Sequence, residues 1–521
     1  MLHLLKFTLL KTLNSYTMNK YLLVCLICCS SFLANAQTIK KAPTKKTNTN
    51  AVVKKPLATS VDKTGRHINI TLTPFKNCWI YLGSYYGTGR TITDSAYLDG
   101  NSKGVFKGNT KLTGGIYFVV SPQYTIQFEL LMDAEQHFSI VADSAKKEQF
   151  QIIGSADNDL FKEYSKVTSV KGKHLYDLNN QLATAKTRED SLQIRDEIIK
   201  GNKELQAYRE DIVAKNPNSL LSMLFTVMKR PEFPPIPMVN GKPDSLYPYR
   251  YVKDHYWDDV NFFDDRLLRT PFFEPKMDDY FKYQVSPEAD SIIQEVKYML
   301  LSARSGKEIF PYLLTKFTNK YVNPEYMGQD KVFLYLFNDF YSKGDTVFLN
   351  AASRKMIFDR AYSLMANQIG EPAPVLNLTD TLGKVQPMYN INAAFTLVAF
   401  WDPHCGHCKE QIPRIDSMYK SKWKALGLKV YSVYVYDDNV PDWKKFINEK
   451  ELFDWTHVYQ TKAARDLEIK NNQAGFRQLY DARVTPTIYL LDDKKRIIAK
   501  QLSLEQFDDV ISAKLKNKNN K

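Results

Sequence analysis

The sequence predicts a multidomain α+β protein, with an N-terminal antiparallel β sandwich or barrel-like domain, a central all-α domain and a C-terminal α/β domain. Three observations predict it. The chain has 521 residues, enough for about three or four domains of ~150 residues each. Residues 65–154 carry short β-rich runs, whereas from about 157 the apolar period becomes helical. Beyond Pro372 and Pro374 a continuous apolar strand leads through a short loop into a helical pattern, the order of an α/β unit.

Composition narrows the classes. With 44% apolar and 25% charged residues the chain is an ordinary globular one, which excludes wholesale disorder. Its net charge of +14 comes from 71 basic and 57 acidic residues. Nine lysines and no acid fall in residues 1–60, and four lysines and no acid in residues 514–521. The body between them holds 58 basic against 57 acidic residues. No basic groove is implied, so no nucleic-acid partner is expected.

The N-terminus reads as an address. Lys20 precedes an apolar run of 13 residues (YLLVCLICCSSFL, 21–33), which Ala34-Asn35-Ala36 follows. That is the secretory-signal pattern, with cleavage expected before Gln37. The run falls short of the ~20 residues that span a bilayer. Met18 makes a better signal start than Met1. The alternative is an uncleaved anchor built from residues 4–33, and membrane contact is expected only through this segment. Ile27 and the Cys28-Cys29 pair do not fit a lipoprotein signal. Residues 37–60 are Lys/Thr/Asn-rich and read as a flexible tether. The expected destination is export, to the periplasm. Loss of the signal leaves Cys78, Cys405 and Cys408, too few for a disulfide scaffold. Cys78, beside Trp79 and Ile80 in a strand-like run, reads as a small buried apolar residue.

In the expected β domain (61–155), HINITLT, CWIYLGSYYG, GIYFVVS, TIQFELLM, HFSIVADS and FQIIG are separated by turns such as Asp99-Gly100 and Gly114-Gly115. Its aromatic residues read as core rather than as a ligand groove. In the expected helical domain (156–368), Ile198, Leu205 and Ile212 recur every seven residues with Tyr208 between them, the mark of a long amphipathic helix. Asn216-Pro217-Asn218 ends it, LLSMLFTVM resumes, and PEFPPIP is an extended loop. Asp258, Asp259, Asp264 and Asp265 could hold a hard cation. They lack a Gly-bearing loop and a closing Glu, so caps and ion pairs with Arg266 account for them equally well.

The last domain (369–519) carries the chemistry. Residues 395–420 read FTLVAFWDPHCGHCKEQIPRIDSMYK. Residues 397–400 suit a strand buried on both faces, and Ile412, Ile415 and Met418 recur at helical spacing. The cysteines of Cys405-Gly406-His407-Cys408 thus fall at a helix start, where two intervening residues let the sulfurs approach. There the unpaired amides and the positive dipole end favour the Cys405 thiolate. Cys405 is the expected nucleophile, and Cys408, one turn in and more buried, resolves the mixed disulfide.

This stretch, with Trp401 four residues before Cys405 and Thr485-Pro486-Thr487 downstream, resembles the thioredoxin superfamily. IGEPAPVLNLTDTLGK (369–384), the VYSVYV strand and an added helical segment at about 441–480 resemble its exported TlpA-like branch. The resemblance spans residues 370–519. It implies a thioredoxin-like fold, a cis Pro486 facing the cysteine pair, and a thiol–disulfide oxidoreductase. It also implies periplasmic protein thiols and disulfides as partners, together with a further redox partner, and no cofactor beyond the Cys405–Cys408 disulfide. The upstream modules resemble segments found before thioredoxin domains in secreted proteins of the Bacteroidetes type, which bring no assigned chemistry.

Two departures matter. The inner residues are Gly-His, as in protein disulfide isomerases, so His407 is expected to tune Cys405 toward the thiolate and make the disulfide more oxidising. Ala399 stands where many thioredoxins carry a buried Asp, leaving Asp402, Glu410 or a water as proton acceptor. Other readings of the pair remain. A metal would need His404, Cys405, His407 and Cys408, four ligands in five residues, which cannot easily wrap one tetrahedral ion. Covalent haem attachment needs a histidine where Lys409 stands. A structural disulfide in a scaffold protein needs none of Trp401, the histidines or Thr485-Pro486. A thiol peroxidase is disfavoured because peroxidatic sites carry a single Thr/Pro-framed cysteine.

Overall fold

The computed structural model describes residues 64–146 and 150–519. The expected signal (1–36) and tether (37–60) lie outside the described residues. Among the described residues there are two compact units, one of residues 64–284 with 302–310, the other of residues 285–301 and 311–519. The helical middle is therefore divided between them rather than forming a unit of its own.

The first unit opens with eight strands: β1 (Arg66–Thr73), β2 (Cys78–Tyr86), β3 (Gly89–Leu98), β4 (Lys103–Gly108), β5 (Gly115–Val120), β6 (Ile126–Met132), β7 (His137–Asp143) and β8 (Gln151–Ile153). They form two four-stranded sheets in the orders β4-β1-β7-β8 and β3-β2-β5-β6. Alternate residues such as Ile68, Ile70 and Leu72 of β1 and Ile80 and Leu82 of β2 point into the core between the sheets. One pairing departs from the expected antiparallel pattern, since β1 runs parallel to β7.

Phe118, Val120 and Leu131 face the other way, against Tyr164, Ile212 and Leu224 of the helices that follow. These are α1 (Ala156–Thr184), α2 (Arg188–Lys215) and α3 (Leu220–Met228). The heptad-spaced stripe falls on α2, where Leu205 packs on Leu175 and Leu178 of α1. The acidic cluster is satisfied locally. Asp264 holds Arg266, and Asp265 accepts the amides of Glu308 and Ile309, both at 2.9 Å, as caps do.

A short hairpin, β9 (Met238–Val239) with β10 (Lys242–Pro243), interrupts the helical middle. Then come α4 (Tyr247–Asp254), α5 (Phe273–Tyr283), α6 (Ala289–Ser302), α7 (Ile309–Tyr321), α8 (Asp330–Asp339) and α9 (Ala351–Met365). Among the described residues, no helix is long and apolar enough to cross a membrane.

The second unit is built on a seven-stranded sheet. The expected lead-in hairpin is β11 (Asn377–Asp380) with β12 (Val385–Pro387), followed by β13 (Phe395–Trp401), α10 (Gly406–Met418) and β14 (Leu428–Tyr434). The segment expected to be helical from 441 to 480 holds α11 (Val440–Glu449), α12 (Lys462–Lys470) and α13 (Phe476–Leu479), but also a strand, β15 (Thr456–Tyr459). That strand continues the sheet because Val458 fills one face of it. The chain ends in β16 (Thr487–Leu491), β17 (Ile497–Lys500) and α14 (Leu504–Asn519). The order is β12-β11-β15-β14-β13-β16-β17, with β13 parallel to β14 and antiparallel to β16. Every residue of β13 is buried. Leu397, Ala399 and Trp401 face one core with Cys408, and Val398 and Phe400 face the other, so a continuous apolar run was needed.

Candidate active site

Cys405 caps α10 from an extended backbone (φ −72°, ψ 123°), and its sulfur accepts the Cys408 amide at 3.4 Å. The preceding turn is made by Asp402, whose carbonyl accepts the Cys405 amide at 3.2 Å. Asp402 Oδ1 accepts the His404 amide at 3.0 Å. Opposite the helix start, the Thr485–Pro486 peptide is cis, the state the resemblance implied. The Cys405 thiol donates to the Thr485 carbonyl at 3.3 Å. The structure thus brings Cys405, Cys408, Thr485 and Pro486 together from two distant parts of the chain.

The two thiols differ sharply. Cys408 is fully buried, and its pKa is pushed up to about 12, chiefly by that burial. Cys405 is half-buried. Burial opposes its ionisation, but hydrogen bonds with the Thr485 and Cys408 side chains and from the amides of Cys408 and His407 outweigh it and lower its pKa. The helix start therefore acts on one sulfur and spares the other. His407 is exposed, and what reaches Cys405 from it is the backbone amide.

Ala399 faces the same apolar core as Cys408. Of the carboxylates offered as proton acceptors, Asp402 holds the His404 amide and Glu410 is exposed. It is the Asp402 backbone that reaches the Cys408 sulfur. The His404 ring lies 3.0 Å from the Asn439 amide group and 3.3 Å from the Asp442 carboxylate, drawn outward from the pair. Among the described residues, no group of three or more His, Cys, Asp or Glu side chains is placed to hold a metal.

Trp401 is buried at the end of β13, and the sequence did not reveal what anchors it. Its indole N–H donates to Ser432 Oγ at 2.7 Å. Ser432 Oγ lies 3.0 Å from His457 Nδ1, and His457 Nε2 lies 2.7 Å from the Leu452 carbonyl. A carbonyl only accepts, so Nε2 carries the proton and Nδ1 accepts from the Ser432 hydroxyl. Burial holds the ring neutral, with its pKa lowered to about 4. Ser432 and His457 gave no signal in the sequence because both sit singly in apolar strands. Cys78 is half-buried against the sandwich core of the other unit.

The sheet, the capping cysteine and the cis-proline make the C-terminal domain thioredoxin-like. Residues 369–500 match the AhpC/TSA family, and the C-terminal domain belongs to that family. Residues 202–343 match a domain of unknown function, DUF5106. No curated protein matches the chain. Among solved structures, a thioredoxin-like protein from Bacteroides caccae is 22% identical over 55% of this chain and 98% of its own, with a TM-score of 0.42. A structure described as a domain of "possible thiol-disulfide isomerase" from Cytophaga hutchinsonii is 32% identical over 29% of this chain and 97% of its own, at 0.26. The thioredoxin domain of a thiol-disulfide oxidoreductase from Bacteroides vulgatus is 27% identical over 28% and 96%, at 0.24.

Proposed function

We propose that the protein is an exported thiol–disulfide oxidoreductase that exchanges disulfides with other proteins through Cys405 and Cys408. The observation that carries this reading is the asymmetry of the pair, a half-buried thiol with a lowered pKa beside a fully buried one raised to about 12. The Cys405 thiolate attacks one sulfur of a substrate disulfide. The substrate's other sulfur leaves as a thiolate and takes up a proton, and a mixed disulfide remains. Cys408 then gives up its proton and attacks the Cys405 sulfur, releasing the second substrate thiol. The substrate disulfide is reduced to two thiols, and the protein pair is oxidised to a disulfide. In reverse, the same steps oxidise a dithiol, and a second redox partner resets the pair. Export rests on the signal-like residues 20–36.

Cys408→Ala tests the reading. The variant is expected to accumulate mixed disulfides between Cys405 and client proteins in the native compartment. A clean absence of adducts favours a scaffold with a structural disulfide. The AhpC/TSA match favours peroxide reduction as a second reading. There Cys405 becomes a sulfenic acid, which Cys408 condenses to the disulfide with release of water. Dithiothreitol-dependent consumption of hydrogen peroxide by the wild-type chain separates the two. The potential of the pair assigns the direction, near −270 mV for a thioredoxin-like reductant and near −120 mV for an oxidant.

A further inference from the structure

The end of the helical segment grips the chain just before the cis-proline. Arg360 of α9, its side chain only 11% exposed, binds the Asp481 carboxylate. Its other N–H groups donate to the Val322 carbonyl and to Asn323 Oδ1, each at 3.2 Å. Arg483 donates to the buried Ser363 hydroxyl at 3.0 Å. Asn367, fully buried, donates to the Leu479 carbonyl at 2.9 Å. Leu479, Asp481 and Arg483 are alternate residues of one short approach, and Val484 and Thr485 come next.

Two details show that this grip sets a backbone position rather than merely joining surfaces. Asp481 is held at φ +46°, in the left-handed region that non-glycine residues rarely adopt. Its carboxylate, 5% exposed, is the group the arginines hold there. On the far side, Thr487 Oγ1 donates to the Val484 carbonyl at 2.6 Å. The approach is therefore fixed at both ends, and the group it delivers is the Thr485 carbonyl that meets the Cys405 thiol at 3.3 Å.

We infer that Arg360, Ser363 and Asn367 are positioning residues of the redox site, through which the helical segment holds the Thr485–Pro486 wall in register for a protein disulfide docking beside Cys405. This rests on the oxidoreductase reading above. The wall is needed for a substrate chain to lie along the pair, and not for a small reagent that only needs the thiolate. Withdrawing the segment removes both the Thr485 carbonyl, which favours the thiol, and the Thr485 side-chain hydrogen bond, which favours the thiolate. Alkylation is therefore read at a pH high enough for Cys405 to be fully ionised in every variant, where neither loss slows it.

The test compares two reactions of the reduced full-length chain. One is single-turnover exchange with insulin, and the other is alkylation of Cys405 by iodoacetamide. Asp481→Asn keeps a residue that tolerates the left-handed backbone and removes the charge. It is expected to slow exchange with insulin about tenfold while alkylation does not slow. Arg360→Gln should do the same and Arg360→Lys should retain most of the rate. Ser363→Ala removes a single hydrogen bond, so the chain folds, and should give a smaller loss of the same kind. Folded variants with unchanged insulin exchange overturn the inference, and so does a parallel loss of both reactions. If the wild-type chain is alkylated yet never exchanges with insulin, the oxidoreductase reading itself fails, and this inference falls with it.

Discussion

The Cys405 sulfur lies 3.3 Å from the Thr485 carbonyl oxygen, 80 residues away in the chain. A carbonyl accepts only, so this contact stabilises the thiol, whereas the Thr485 side chain and the amides of Cys408 and His407 stabilise the thiolate. Burial also opposes ionisation, yet the sum lowers the Cys405 pKa. In Cys408→Ala, Cys405 should therefore alkylate with a midpoint below the ~8.5 of a free cysteine. In Cys405→Ala, Cys408 should react only toward pH 12, where burial places it. Rates with iodoacetamide across pH give both midpoints, and a Cys405 midpoint at or above the free value would remove the basis for its role as nucleophile.

His407 reaches the site in a way that its side chain did not suggest. Its imidazole is exposed, but its amide is one of the groups that lower the Cys405 pKa. Proline has no N–H, so His407→Pro removes the hydrogen bond from the amide and the imidazole together. His407→Ala removes the imidazole alone. The proline variant is expected to have a lower reduction potential, by about 30 mV for each unit the Cys405 pKa rises. The alanine variant should fall between it and wild type. Equilibration with glutathione measures all three, and an unchanged or higher potential in the proline variant contradicts the argument.

Local pattern explains what was legible in the sequence. The pair, its helix and the buried β13 are contiguous, so spacing and period reveal them. Pro486 needed a resemblance, because nothing in Thr485-Pro486 itself says which residue it faces. The parallel pairing of β1 with β7 and the strand Thr456–Tyr459 were hidden for the opposite reason. Each is decided by a partner far away in the chain, and a four-residue strand carries too little alternation to be seen. Nothing in the sequence marks Arg360 and Asp481, since burial of a polar residue is a property of the fold rather than of its neighbours in sequence.

A second buried contact joins the helical segment to the sheet. Lys500 Nζ donates to Asp330 Oδ2 at 2.6 Å and to the Asn367 carbonyl at 2.9 Å, with both charged side chains 5% exposed. Removing one partner leaves a buried charge alone, at a cost of about 3–5 kcal/mol. Lys500→Met should therefore lower the urea midpoint of the full chain strongly. Adding Asp330→Leu to it should recover most of the loss, because an apolar pair replaces a buried carboxylate that has lost its cation and keeps the Gln368 amide. A double variant no more stable than Lys500→Met alone would show that the pair's charge is not what holds these elements together.

The chain from Trp401 through Ser432 to His457 makes stability depend on acid. In the fold the His457 pKa is about 4, because burial disfavours the imidazolium. In the unfolded chain it returns to about 6.5. Above pH 6.5 the ring is neutral in both states and stability is independent of it. Below pH 6.5 the unfolded chain takes up a proton that the folded chain refuses, so stability falls until about pH 4, where the folded ring also titrates. The loss amounts to about 3 kcal/mol at most. His457→Gln keeps a donor for the Leu452 carbonyl and an acceptor for the Ser432 hydroxyl, but cannot titrate. Urea midpoints at pH 7 and pH 4.5 should therefore drop less in His457→Gln than in wild type. Equal drops in the two proteins would place the acid sensitivity elsewhere.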